Sequence, residues 1–180
     1  MCGRFHFGIS DSKKATQINE KIQKLNLVFK QGEIFPTDNV LCVIAKDSKI
    51  DLSVKRWGIN AKSLLINARI ETINDRPTYA SIKNNRCAII CDGFYEWDKQ
   101  KNKYLINFEE EYMYLACIFN ELDELVILTT ESSSDFSMIH DRVPIIMSQS
   151  EMIKYVHNEK GIFTKKKLNI KPCDEEVKLF

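Results

Sequence analysis

The chain has 180 residues, of which 44% are hydrophobic and 28% charged, and its formal net charge is +1. A chain of this length and composition can bury one sizeable core, which excludes a disordered protein and predicts a single domain over residues 1–180. The near-zero net charge excludes recognition of nucleic acid through overall charge, so any anionic partner must be bound by local cations.

No apolar run approaches the roughly 18 residues that cross a bilayer, and no basic segment followed by an apolar one opens the chain. We therefore expect a cytoplasmic protein without a membrane partner. The six cysteines are too few and too scattered for a disulfide framework, and they lack the paired CxxC spacing of a zinc site. We expect most of them to be buried thiols, and we expect neither a metal nor a cofactor.

The chain begins "MCGRF". Initiator methionine is commonly removed before a side chain as small as that of cysteine, so we expect the mature chain to begin at Cys2. In reference peptides an α-amine has a pKa of about 7.7 to 8.0 and a cysteine thiol one of about 8.5, which predicts that both groups of Cys2 are partly reactive at cellular pH. The alternative is a small cysteine that only packs in the core.

Two helices are predicted from apolar spacing and capping. Residues 10–27, "SDSKKATQINEKIQKLNL", carry Ile18, Ile22 and Leu25 at steps of three and four. Residues 148–159 begin with Ser148 and Glu151 at capping-box spacing.

Between these helices lie short runs rich in β-branched and aromatic residues, which predict strands over residues 40–45, 50–58, 63–68, 86–97, 103–109, 112–119 and 125–130. Short polar turns such as "KDSK" favour antiparallel pairing. The predicted fold class is α+β, with a mainly antiparallel, curved or barrel-like β-sheet and peripheral helices. Residues 164–180 lose the periodicity and are predicted to be a surface tail or a late edge strand.

Three internal stretches differ from plain scaffold. In "LLINARIET", the residues Asn67, Arg69 and Glu71 share one face at a strand end, which indicates either a site or a solvated strand face. In "CAIICDGFYEW", Glu96 stands between aromatic neighbours, where apolar surroundings can raise its proton affinity and suit it to general acid or base catalysis. The alternative is a hairpin whose glutamate faces solvent.

In "MIHDRVP", His140 suits proton transfer and Arg142 suits anion binding. A structural histidine and a structural ion pair are the alternatives. We assign His6 and His157 to structural roles.

Together, "MCGRF", "NARIET", "RCAIICDGFYEW" and "HDRVP" resemble, in order, the signature blocks of the SOS response associated peptidase (SRAP) family, whose members crosslink covalently to abasic sites in single-stranded DNA. The resemblance extends from residue 2 to about residue 146. It implies that Cys2 is the crosslinking residue and that Asn67, Glu96 and His140 complete the active site. It further implies a DNA groove lined by Arg4, Pro36, Trp57, Arg69 and Arg142.

The chemistry that the resemblance implies is a Schiff base between the α-amine of Cys2 and the aldehyde of an opened abasic sugar, followed by closure of a thiazolidine ring by the thiol. Removal of Met1 by the protein itself and weak strand-cleaving lyase activity are compatible with it. We expect a monomer that acts on damaged DNA at the nucleoid. The sequence departs from the family pattern at Val143, where members often have methionine, and around Pro36, which is only loosely similar.

Two rival functions remain open. An N-terminal-nucleophile amidohydrolase of the glutamine amidotransferase kind also begins Met-Cys-Gly, but the present chain is short and has no recognisable glutamine-binding segment. A DNA-binding module without enzymatic activity would leave Glu96 and His140 without a role.

Overall fold

The computed structural model describes residues 2–8, 16–108, 112–132, 136–137, 139–159 and 168–173. The strands are β1 (Phe5–Phe7), β2 (Gly32–Ile34), β3 (Asn39–Lys46), β4 (Lys49–Trp57), β5 (Ile59–Asn60), β6 (Leu64–Leu65), β7 (Asn67–Arg69), β8 (Arg86–Cys91), β9 (Gly93–Trp97), β10 (Lys103–Asn107), β11 (Met113–Phe119), β12 (Glu124–Glu131), β13 (Arg142–Pro144), β14 (Ile146–Met147) and β15 (Asn169–Pro172). The helices are α1 (Thr16–Leu25), α2 (Pro77–Ala80) and α3 (Gln149–Val156), with a 3₁₀ turn at Ile70–Thr72.

The larger sheet closes on itself. Strands β12, β4, β3, β8 and β11 pair in that order, and β11 pairs again with β12. Most pairs are antiparallel, while β12 runs parallel to both β4 and β7. The predicted α+β fold with a mainly antiparallel, barrel-like sheet is confirmed.

A second sheet of five antiparallel strands has the order β15, β10, β9, β1, β2. It packs against the barrel through an apolar core to which both sheets contribute, including Phe5, Phe94 and Ile106 from the small sheet and Leu115 and Ile127 from the barrel. The predicted tail thus contains a short edge strand, β15, and the rest of residues 164–180 lies outside the described residues apart from 168 and 173.

The strand predicted over residues 86–97 is two strands in two different sheets. The chain leaves the barrel at Asp92, whose carboxylate accepts a hydrogen bond of 2.6 Å from the backbone of Gly8. Gly93 then allows β10 to approach closely, because a Cβ atom there would lie 2.7 Å from the carbonyl oxygen of Ile106. Because the chain changes sheets here, Glu96 on β9 belongs to the small sheet, whereas β8 belongs to the barrel.

Both predicted helices are present, with shorter bounds. Helix α3 begins at the capping box predicted from its sequence: the Ser148 side chain accepts from the backbone of Glu151, and the Glu151 carboxylate accepts from the backbone of Ser148 at 2.8 Å. The start of the helix predicted over residues 10–27 lies outside the described residues. The strand predicted over residues 63–68 is broken at Ile66 into β6 and β7. No helix among the described residues is long and apolar enough to span a membrane.

Candidate functional site

Cys2 lies fully buried in the apolar core, three residues before β1 begins at Phe5. The side-chain amide of Asn67 donates a hydrogen bond of 2.8 Å to the backbone carbonyl of Cys2. Asn67 is held in place by β7, in which it pairs with Ile127 of β12. The parallel pairing of β7 with β12 therefore positions Asn67, whose side chain holds the backbone of Cys2.

The Cys2 thiol is not poised as a thiolate. Burial, together with the nearby Glu96 carboxylate, raises its pKa to about 12. In the chain that begins with Met1 the thiol is therefore protonated at neutral pH. The expectation of a partly ionised thiol concerns the chain without Met1, and it stays a prediction. That expectation used the pKa of a solvated peptide, whereas this side chain has no exposed surface.

Glu96 lies on β9 with only 4% of its surface exposed. It faces the interior, so its sequence neighbours Tyr95 and Trp97 lie on the opposite face of the strand. Burial raises the pKa of Glu96, although the neighbouring His140 acts in the opposite direction. Because the side chain is buried, the alternative of a solvent-facing glutamate is wrong.

His140 completes the group of four. Its Nδ1 atom lies 3.0 Å from the backbone nitrogen of Arg142 and 2.8 Å from a carboxylate oxygen of Asp141. One nitrogen cannot accept from the first and donate to the second at once. We assign Nδ1 as the acceptor of the backbone contact, because the Asp141 side chain is 88% exposed and water competes for it. A neutral His140 then carries its proton on Nε2.

The four predicted catalytic residues are thus brought together. Asn67 bonds to Cys2, Glu96 is close enough to the Cys2 thiol to interact with it electrostatically, and His140 is likewise close to Glu96. The carbonyl oxygen of the Asn67 side chain is buried and has no hydrogen-bond partner among the described residues. It therefore offers an acceptor at the site.

Arg142, which was predicted to line a DNA groove, is buried with 8% of its surface exposed. Its guanidinium group binds both carboxylate oxygens of Glu71, at 3.3 and 2.9 Å, and donates to the carbonyl of Thr129 at 2.8 Å. Although burial opposes it, the hydrogen bond from Arg142 lowers the pKa of Glu71. Arg142 thus forms the structural ion pair given as the alternative, and its backbone nitrogen contacts His140. Its place in the DNA groove stays a prediction.

Trp57, which was predicted to line the DNA groove, is instead a core residue. It has no exposed surface, its ring lies 5.2 Å from that of Phe5, and its indole nitrogen donates to the carbonyl of Ile66 at 3.0 Å. Strand β4 ends at Trp57, and the next residue, Gly58, has a positive φ that turns the chain.

The other predicted DNA contacts lie at the surface. Arg69 is exposed at the end of β7, and Pro36 is half-buried in the turn after β2. Arg4 is partly exposed and pairs with Glu33 at 3.2 Å. Its guanidinium carbon lies 4.4 Å from the centre of the Phe35 ring and 5.0 Å from that of Trp97.

Phe35 and Trp97 were missed as candidate binding residues. For Trp97 the signal was the alternation of side chains along the strand, because a buried Glu96 places Trp97 on the opposite face.

The remaining histidines have local partners, as expected for structural residues. His6 lies 3.0 Å from Asp92, and His157 lies 2.8 Å from the carbonyl of Ile153. Five cysteines are buried, in line with the prediction for most of the six. Among the described residues no three His, Cys, Asp or Glu side chains are arranged to hold a metal ion.

Comparisons with known proteins identify the family of the chain. A family model described as SOS response associated peptidase (SRAP) matches residues 1–179. The abasic site processing protein YoqW of Bacillus subtilis is 28% identical over 178 residues, covering 82% of this chain and 76% of the relative. YoaM of the same organism, also an abasic site processing protein, is 29% identical over 176 residues and covers 82% and 75%. A crystal structure of a protein from Bordetella bronchiseptica shares the fold, with a TM-score of 0.75 and 13% identity over 97% of this chain and all of that one.

Proposed function

Since this chain belongs to the SOS response associated peptidase family, we propose that it processes abasic sites in DNA by forming a covalent crosslink through Cys2. The names of its relatives support the substrate. The observation that carries the chemistry is the hydrogen bond from Asn67 to the Cys2 carbonyl, with Glu96 beside the same residue. This bond holds the Cys2 carbonyl and burial holds its side chain, and together they restrict the direction of the amine that removal of Met1 would expose.

The α-amine of Cys2 attacks the aldehyde carbon of the opened sugar. The carbinolamine then loses one water and becomes an imine. The sulfur adds to the imine carbon, and the thiol proton passes to the nitrogen, which closes the five-membered thiazolidine ring without any further leaving group. The raised pKa of the Cys2 thiol suits this order, because the amine acts first and the sulfur retains its proton until ring closure.

The neighbours of Cys2 supply proton transfer and orientation. Protonated Glu96 donates to the carbinolamine oxygen as water leaves, which agrees with the direction of its pKa shift. Asn67 orients the amine, and His140 moves protons during sugar opening or release of the crosslink. The same imine also permits β-elimination, so we include weak lyase activity, and removal of Met1 by the protein itself, in the proposal.

We propose single-stranded DNA as the partner and a monomer as the active form. Arg4 and Arg69 are accessible arginines that each lie two residues after a site residue, Cys2 and Asn67, and their charges suit flanking phosphates. Pro36 lies in the turn beside Phe35, at the edge where the strand would bend.

An amidohydrolase that uses the same cysteine would act on an amide carbonyl, and the sequence has no recognisable glutamine-binding segment for such a substrate. Denaturing electrophoresis after incubation with single strands that do or do not carry one abasic site tests the choice. The crosslinking proposal requires a slower band with the abasic strand alone.

A further inference from the structure

Two cations on the outer face of the small sheet share one carboxylate oxygen. Arg4, next to β1, lies 3.2 Å from Oε1 of Glu33 on β2, and the ammonium of Lys103 on β10 lies 2.7 Å from the same atom. The three side chains are 31%, 34% and 29% exposed, in the order Arg4, Glu33, Lys103. An anion in solution can therefore reach the cations where the carboxylate lies now.

Aromatic rings order both cations. The Arg4 guanidinium lies over Phe35 and Trp97, and the Lys103 ammonium lies 4.0 Å from the centre of the Tyr95 ring and 5.8 Å from that of Trp97. Such contacts hold a cation over a ring face while leaving its outer side open to a ligand. These residues lie on neighbouring parts of the small sheet. The backbone of Arg4, just before β1, accepts a hydrogen bond from Tyr95 of β9, and Lys103 of β10 lies opposite Trp97 of β9.

The charges of this cluster do not balance, since two cations face one carboxylate. Glu33 remains ionised near neutral pH: burial opposes it, but the hydrogen bond from Lys103 and the charges of both cations lower its pKa. A phosphodiester carries the same single charge on two oxygens and is bound by the same donors.

We propose that Arg4 and Lys103 form a binding site for one phosphodiester of a DNA single strand, and that Glu33 occupies this site in the free protein as an internal competitor. The inference rests on the proposed function for its choice of ligand. It adds Lys103 and Glu33 to the binding surface and gives Glu33 a role opposite to that of its neighbours: it weakens the binding of intact strands, which must displace it.

If Arg4, Glu33 and Lys103 only stabilise the fold, the variants should behave differently. In that case loss of Glu33 would release two cations, lower the melting temperature and leave DNA binding unchanged beyond the effect of one fewer negative charge. The pair formed by Lys21 and Asp51 provides the matched control, because it has a similar separation of 2.9 Å and similar exposures of 39% and 33%.

The test is fluorescence anisotropy with an intact, unmodified single-stranded oligonucleotide at several salt concentrations. Glu33→Gln should bind about 2- to 5-fold more tightly than the wild type. Lys103→Gln should bind more weakly and lower the slope of log affinity against log salt by about 0.7. Lys103→Arg, which keeps the charge, should remain within about twofold of the wild type. Asp51→Asn and Lys21→Gln should change affinity less than their counterparts in the cluster.

The inference is overturned if Glu33→Gln binds no more tightly than Asp51→Asn, or if inorganic phosphate at equal ionic strength displaces the oligonucleotide, which would indicate a site for free anions. Melting temperatures identify a variant that fails to fold; if Lys103→Gln does, Glu33→Gln and Lys103→Arg decide. Adduct formation by the wild type with an abasic strand is measured separately. If no adduct forms while Glu33→Gln still gains affinity, the crosslinking proposal fails and the phosphate site stands.

Discussion

The side chain of Asn67 holds the backbone carbonyl of Cys2 at 2.8 Å, and so connects the barrel to the first residues of the chain. Loss of one such hydrogen bond is worth about 1 kcal/mol, or about fivefold in rate if the bond orients the amine. Asn67→Ala should therefore slow adduct formation about fivefold in single-turnover assays, with little change in DNA affinity. Asn84→Ala, at an exposed position, is the control. Wild-type rates for Asn67→Ala would show that the bond is only structural.

Glu96 and His140 are expected to act on the rate and not on binding. One general acid or base contributes about 100- to 10,000-fold, and the loss is smaller where the sugar already opens unaided. Glu96→Gln should slow crosslinking while retaining the anisotropy of DNA binding, and His140→Ala should slow either formation or release. Glu121→Gln, in an exposed turn, is the control. If both variants form and release the adduct as the wild type does, neither residue transfers a proton.

The pKa of Glu96 predicts a dependence of stability on pH. Its folded-state pKa is raised above 4.5, chiefly by burial. The contribution of Glu96 to the free energy of unfolding is therefore fully present below pH 4.5 and is lost as the pH rises through its folded-state value. Glu96→Gln cannot ionise, so its melting temperature should rise relative to that of the wild type between acid and alkaline pH. A difference that is constant with pH would contradict the shift.

Arg69 and Arg142 should differ in what they affect. Arg69→Ala should weaken binding to single strands, lower the salt slope by about 0.7 and leave the melting temperature unchanged, because the residue is exposed. Arg142→Ala should cost about 1.5 to 3 kcal/mol of stability, because it removes donors to Glu71 and to the Thr129 carbonyl. Calorimetry and anisotropy on both variants check the distinction. If Arg142→Ala is as stable as the wild type but binds single strands much more weakly, Arg142 contacts DNA and the structural assignment is wrong.

Local patterns predicted the strands well, but not how they assemble. Runs such as "VLCVIA" determine β3 through the alternation and branching of their own residues. The closure of the barrel depends on β12, which pairs in parallel with β4 and β7 across more than fifty residues of chain. No local pattern encodes a pairing of this separation.

The site was predictable by its residue types, and the binding surface was not. Cys2, Asn67, Glu96 and His140 come from four separate stretches, and only the family resemblance joined them before the structure was known. Trp57 and Trp97 look alike in sequence, since each ends a strand. One faces the core and the other faces solvent, because the inward or outward direction of a side chain depends on the partner strands.

The central claim is that Cys2, freed of Met1, traps an abasic aldehyde through both its amine and its sulfur. The most direct measurement is intact mass spectrometry, with peptide mapping, of the adduct formed with a single strand that carries one abasic site. We predict a heat-stable product whose mass is the sum of the Met1-free protein and the strand less one water, attached at Cys2. Cys173→Ser should form the same product, whereas Cys2→Ser should give only a labile imine that borohydride traps. An equally stable adduct from Cys2→Ser, or attachment at any other residue, would contradict the account.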